Sequence, residues 1–275
     1  MNPDNPFATI AQAVVELVTL HGGLFVMMGQ HLFRGFAVIV IAWFGIQAAL
    51  AASEGRGPFP MAKFAGLLMT IAFGYAMITY YTAPIPGFGV SFTHLVTDQA
   101  HALAQQMEAS QAQEIDARLT ELYLTMEQPS LLNTLDLIRY YLVVFTLTGA
   151  RAALLAVIAF GWAATGVAVL VGPIFVPFFI VPQLEWLFWG WFKAFLQYAF
   201  YQVVAQAFVF VFGNLLLHFL AIYEPPFTVD RLTVAGLHVV FLLLAFTYGL
   251  LKVPSLVNSL FTGRSGESVV PSIIG

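Results

Sequence analysis

Apolar runs of span length, separated by short polar breaks, fill most of the chain and predict an all-α polytopic transmembrane protein. Residues 7–20 show a two-faced helical pattern. Phe7, Ile10, Val14, Leu17 and Val18 share one face, and Thr9, Gln12, Glu16 and Thr19 another. Without cationic residues this segment is poorly suited to a lipid surface and better suited to packing on neighbouring subunits or at the bilayer boundary. Gly22 and Gly23 are expected to break the helix, which makes 1–31 an N-terminal amphipathic segment. Residues 32–82 hold two spans. Leu32–Ala52 is entered at Arg34 and carries Trp43; after the polar turn Ser53–Pro60, Met61–Tyr81 ends on Tyr80 and Tyr81. Both have the ~20 residues needed to cross a bilayer.

Residues 83–130 form the only sizeable hydrophilic stretch. The run APIPGFG (83–89) stops the preceding span, and Ser91 is placed to cap a helix continuing to about Glu127. Phe92, Val96, Leu103 and Met107 follow steps of three and four, resumed by Ile115, Leu119, Leu122 and Met126. Such a narrow apolar seam fits packing against another helix. It serves either a hairpin folded on itself or an oligomer or partner surface. Asp98, Glu108, Glu114, Asp116, Glu121 and Glu127 make the stretch acidic, with Arg118 its only Lys or Arg.

Residues 131–254 read as a C-terminal transmembrane core. Leu131–Val171 exceeds one perpendicular crossing, so part of it projects or tilts. Arg151 lies inside it, at a cost of about 3 kcal/mol by insertion scales, and is expected to face a bundle interior or aqueous cavity. Ala152, Ala156, Ala159 and Ala163 offer small faces for helix contact, and Asp136 with Arg139 makes a local pair. The broken element is Gly172–Phe195, where Pro173, Pro177 and Pro182 deny an apolar run its continuous helix. It reads as a re-entrant segment or kinked span ending in an interfacial elbow, with Trp186, Trp189, Trp191 and Lys193 as its belt. The next span is Phe195–Ile222. Tyr198, Gln202 and Gln206 share an arc of it, from which Asn214 and His218 have drifted. These polar groups either join helices by hydrogen bonds or line a polar path. After the loop Tyr223–Thr233, the last span, Val234–Val253, is closed by Lys252 and Pro254 and followed by a tail, 255–275.

Composition agrees. Of 275 residues 60% are hydrophobic and 9% charged, with a mean hydropathy of +0.86, against about 25% charged in a soluble domain. A net charge of −4 without basic runs gives no nucleic-acid footprint, and with no cysteine there is no disulfide or thiolate metal site. If the tail is cytoplasmic, Lys63, Lys193 and Lys252 all lie on that side with Arg56 and Arg264 and the tryptophan elbow. Arg34, Arg118, Arg139 and Arg231 then lie opposite, with the N-terminus and 83–130.

No phosphate-binding GxxxxGK[ST], zinc-binding HExxH or GxSxG elbow occurs, and no carboxylate completes a metal site with His94 and His101. His218 and His238 fit ordinary polar packing. No catalytic residue, cofactor or metal is therefore expected. Two stretches, FGYAMITYYTAPIPGFGVSF (73–92) and VGPIFVPFFIVPQLEWLFWGWFKAFLQYAF (171–200), together with the order of apolar segments, resemble the TrbL/VirB-six-type family of type IV secretion and conjugation machines. The resemblance implies a bacterial inner-membrane channel or scaffold subunit. Its expected setting is a homo-oligomeric ring beneath a minor pilus subunit and beside the ATPases, with DNA or protein as transient cargo and lipid around it. It also marks Gly172, Pro173, Pro177 and Trp191 as structural positions. The alternatives are a small-solute transporter or channel lined by Arg151, Gln202, Gln206 and Asn214, or a non-catalytic membrane subunit of another complex.

Overall fold

The structure, a computed structural model, describes residues 6–55, 59–106, 109–130, 133–222 and 229–262. Among them there are seven α-helices and no strand: α1 (Pro6–Ser53), α2 (Met61–Thr79), α3 (Phe92–Gln106), α4 (Ala109–Thr125), α5 (Thr134–Phe175), α6 (Glu185–Ala221) and α7 (Val229–Thr262). A 3-10 turn, Val176–Ile180, follows α5 directly. Five helical stretches are long and apolar enough to cross a membrane: Thr9–Ser53, Met61–Thr79, Thr134–Ile180, Glu185–Ala221 and Leu237–Phe261.

Three expected boundaries move. Gly22 and Gly23 do not break the chain, because α1 runs through them without interruption. Two glycines cost about 1 kcal/mol each in a helix, a preference that apolar packing on either side overrides. The tryptophan stretch belongs to α6, which starts at Glu185 and not at Phe195; no proline lies between Pro182 and the end of α6, so nothing delays it. Pro254 lies inside α7, where the Ser255 hydroxyl donates to the Lys252 carbonyl at 2.8 Å. Met107, Arg56, Arg264 and most of Tyr223–Thr233 fall outside the described residues.

The chain divides into two compact units, and α1, α3, α5 and α6 contribute to both. One unit comprises the residues up to Ala11, Ala100–Trp162 and those from Phe200 onward. Its core joins Ile115, Leu119 and Leu122 of α4 to Leu147 and Leu154 of α5, Val209 and Leu216 of α6, and Leu243 and Leu250 of α7. The other comprises Gln12–Gln99 and Ala163–Ala199. Phe33 of α1, Ile78 of α2, Tyr81, Val176 and Ile180 of the 3-10 turn, and Trp191 and Phe195 of α6 form its core.

Helices α1 and α2 form a hairpin in this second unit, joined near their tip by Phe44, Phe59 and Phe64 with ring centroids 5.5–6.0 Å apart. The 3-10 turn docks partway along it. Phe178 meets Phe36 at 5.4 Å, and Phe179 meets Phe73 at 5.8 Å. Beyond that level, from Phe36 to Ser53 and from Phe73 back to Met61, α1 and α2 run on for about 26 and 18 Å at 1.5 Å per residue. No described residue of α1 after Phe36, or of α2 before Phe73, is buried.

Candidate functional site

The elbow between α5 and α6 is built around carbonyls that its prolines leave without a partner. In an α-helix the N–H of residue 173 would close on the carbonyl of residue 169, but Pro173 has none. The Tyr81 hydroxyl donates to that Val169 carbonyl at 2.7 Å, with the ring buried. The Trp191 indole N–H donates to the neighbouring Ala168 carbonyl at 2.9 Å. Pro177 likewise cannot close on the Pro173 carbonyl. Helix α1 passes that carbonyl at Gly29, so closely that a Cβ there would collide with it. A Cβ on Gly172 would collide with both the Tyr81 hydroxyl and the Trp191 ring. Gly172 is thus the space into which the two capping side chains fit.

Past the 3-10 turn, Val181 is extended (φ −106°, ψ 104°), as a residue before proline prefers, and Pro182 turns the chain into α6. Aromatic rings fill the bend: Phe179 lies 5.0 Å from Phe188, and Trp191 stacks on Phe195 at 5.7 Å. Trp186 and Trp189 point outward, with the Trp189 N–H on the Glu185 carboxylate at 2.6 Å. The predicted belt therefore has two outer members and one that locks the interior. Tyr81 itself is held by the start of α3. Phe92 and Thr93 donate backbone N–H groups to the Tyr80 and Tyr81 carbonyls, and Ser91 caps α3 by accepting from the His94 N–H at 3.2 Å.

This geometry corrects the charge-based layout. The elbow was expected on the Met61 side of the second span, yet Gly172 and Trp191 pack beside Tyr81, at its other end. Counting each apolar run as one full crossing missed that the 3-10 turn reaches only to Phe73.

A second polar arrangement lies in the other unit. Arg151 makes a bidentate ion pair with Asp116 of α4, Nε to Oδ1 at 2.7 Å and Nη2 to Oδ2 at 3.2 Å. That carboxylate is the group its guanidinium meets. The Asn214 side-chain oxygen accepts from Gln111 Nε2 at 2.9 Å, which ties α4 to α6. Asp136 and Arg139 form the expected local pair at 3.4 Å. Ile115 and Leu119 are fully buried and Leu122 and Met126 nearly so, all within the chain's own core. These four cannot present an outer surface, because the apolar faces of α5, α6 and α7 already use them. Phe92 and Val96 pack on the elbow's core, while Leu103 remains exposed. Gln202 is buried, and among the described residues its Nε2, the Gln206 Oε1 and the Tyr201 hydroxyl lack hydrogen-bond partners. Sequence reasoning missed Tyr81 as a cap and Asp116 as the counter-charge. A proline in an apolar run announces an orphaned carbonyl, but nothing local names the donor that reaches it.

Among the described residues no cluster of His, Cys, Asp and Glu could hold a metal. The fold and site define a multi-pass all-α membrane protein organised round a capped, proline-broken elbow. A family model described as TrbL/VirB6 plasmid conjugal transfer protein matches residues 37–253, and the chain belongs to that family. It is a component of a conjugal transfer or type IV secretion apparatus. No curated protein matches the chain.

Proposed function

We propose that the chain is an inner-membrane channel or scaffold subunit that helps DNA or protein cross the membrane and supports pilus assembly. The observation that carries this reading is the family match over 37–253, which encloses both the α1–α2 hairpin past Phe36 and the elbow. The elbow suits a scaffold: the Val169 carbonyl freed by Pro173 is met inside the protein by Tyr81, and Trp191 ties α6 to the same turn of α5. The subunit acts without catalysis, as copies of a homo-oligomeric ring, with 83–130 on the outer face toward a minor pilus subunit and the tail toward the ATPases.

Deletion of the gene is expected to abolish transfer between cells while the ATPases keep their activity in membranes. Complementation with the intact chain restores transfer, and Gly172→Leu at equal abundance does not. Transfer that persists after deletion would overturn the reading.

A further inference from the structure

Helix α1 carries more uncovered apolar length than a bilayer can take. Its exposed apolar side chains run from Val15 to Leu50, a rise of about 53 Å. The hydrocarbon layer is about 30 Å thick, and a helix tilted by about 40° keeps only ~39 Å of its length inside. Roughly 14 Å of apolar helix is left for protein to cover.

The exposed arc of α1 is also divided. At about 100° per residue, Gln12, Glu16, Thr19, Gly23, Gln30 and Arg34 fall in one strip about 60° wide. All are exposed except Gln30, which is half-buried. Leu17, Leu24, Met28, Ile39 and Ile46 hold the adjoining arc, where His21 and His31 are the polar exceptions. Lipid suits that second arc, whereas on the first it would strand the side chains of Gln12, Glu16, Gln30 and Arg34; the Thr19 hydroxyl already donates to the Val15 carbonyl. Gly23 has nothing within 4 Å and leaves room for a close helix approach.

Charge identifies the occupant. No acidic partner reaches Arg34 among the described residues, and it sits beside Phe33 and Phe36, at the level of the 3-10 turn. Glu185 opens α6 just past that turn, at a similar level of the same unit, and among the described residues accepts only the Trp189 N–H. One unit thus offers a guanidinium and a carboxylate at one height that do not meet within the chain. We propose that the polar strip of α1 is the face on which a second copy of this chain docks head to tail, with Arg34 of one copy against Glu185 of the next. Contacts of this kind close into rings when the rotation per copy closes, and otherwise extend into open filaments. The inference rests on the homo-oligomeric reading above and names the surface that makes it.

Because the chain has no cysteine, introduced thiols report without background. The intact chain carrying Arg34→Cys with Glu185→Cys, cross-linked in native membranes by a short bifunctional maleimide, is expected to give a ladder of multimers. Leu24→Cys with Glu185→Cys gives none. Arg34→Glu is expected to raise the concentration for half-assembly about tenfold, and Arg34→Glu with Glu185→Arg to restore it. An intact oligomer without the ladder, and indifferent to Arg34→Glu, overturns this contact and leaves the oligomeric reading standing. A monomeric unmodified chain in native membranes overturns both. An adduct of the Arg34→Cys thiol with the mass of another protein, or reactivity equal to that of the Leu24→Cys control, assigns the strip to a different partner or to lipid and also overturns the inference.

Discussion

At the scale of single residues, the elbow depends on a hydroxyl, an indole N–H and the absence of one methyl group. A buried carbonyl left without a donor costs about 1–3 kcal/mol. Tyr81→Phe removes the donor to Val169 and keeps the ring, so it is expected to lower stability by about that amount in detergent thermal unfolding. Gly172→Ala is expected to cost more, because its methyl collides with both capping side chains and neither can retreat from the packed aromatic cluster. If Gly172→Ala unfolds at the wild-type temperature, the close approach around Gly172 is not what holds the elbow. Gln202 behaves in the opposite way. Its buried amide nitrogen has no partner, so Gln202→Leu trades an unsatisfied donor for apolar contact and is expected to change stability by no more than about 1 kcal/mol. A large loss would show that Gln202 holds a group that a leucine cannot replace.

At the scale of elements, α4 shows what a sequence pattern can and cannot convey. The spacing of Ile115, Leu119, Leu122 and Met126 announced an apolar seam, and the structure has one. Its destination was not legible, since the residues it meets lie on helices far along the chain, and 3.5-residue spacing looks the same toward a partner as toward the chain's own α5, α6 and α7. The Arg151–Asp116 pair hid for the same reason, as Asp116 read as one acid among several. Ile115→Asp is therefore expected to abolish folding or insertion, placing a carboxylate where a fully buried side chain stood. Leu124→Asp, on a side chain 73% exposed, is expected to leave both unchanged. Pulse-chase abundance and helical content in purified membranes check the pair; equal tolerance of the two would mean that α4 is not docked as described.

At the scale of the molecule, the number of apolar helices was readable from hydropathy and their depth was not. Five runs long enough to cross a membrane are present. The count treats each run as a full crossing that ends where a proline or an aromatic belt stands. Side-chain packing overrides that rule at the elbow. The cap from Tyr81 and the docking of Phe179 on Phe73 set the bend beside the end of α2 that leads into 83–130. Meanwhile α2 continues about 18 Å past it to Met61. The polar turn at Ser53 and the elbow at Gln183 therefore belong to different levels of the second unit, although the lysine pattern put Lys63 and Lys193 together. Single cysteines at Ser53, Phe88 and Gln183 separate the two layouts in intact cells and inverted vesicles. A membrane-impermeant maleimide is expected to label Ser53→Cys from one face and Phe88→Cys from the other. Gln183→Cys should react from the Phe88 face or be shielded from both. Labelling of Gln183→Cys from the same face as Ser53→Cys would show that α5 carries the elbow across the bilayer, which is the arrangement that Tyr81, sealed against Val169, argues against.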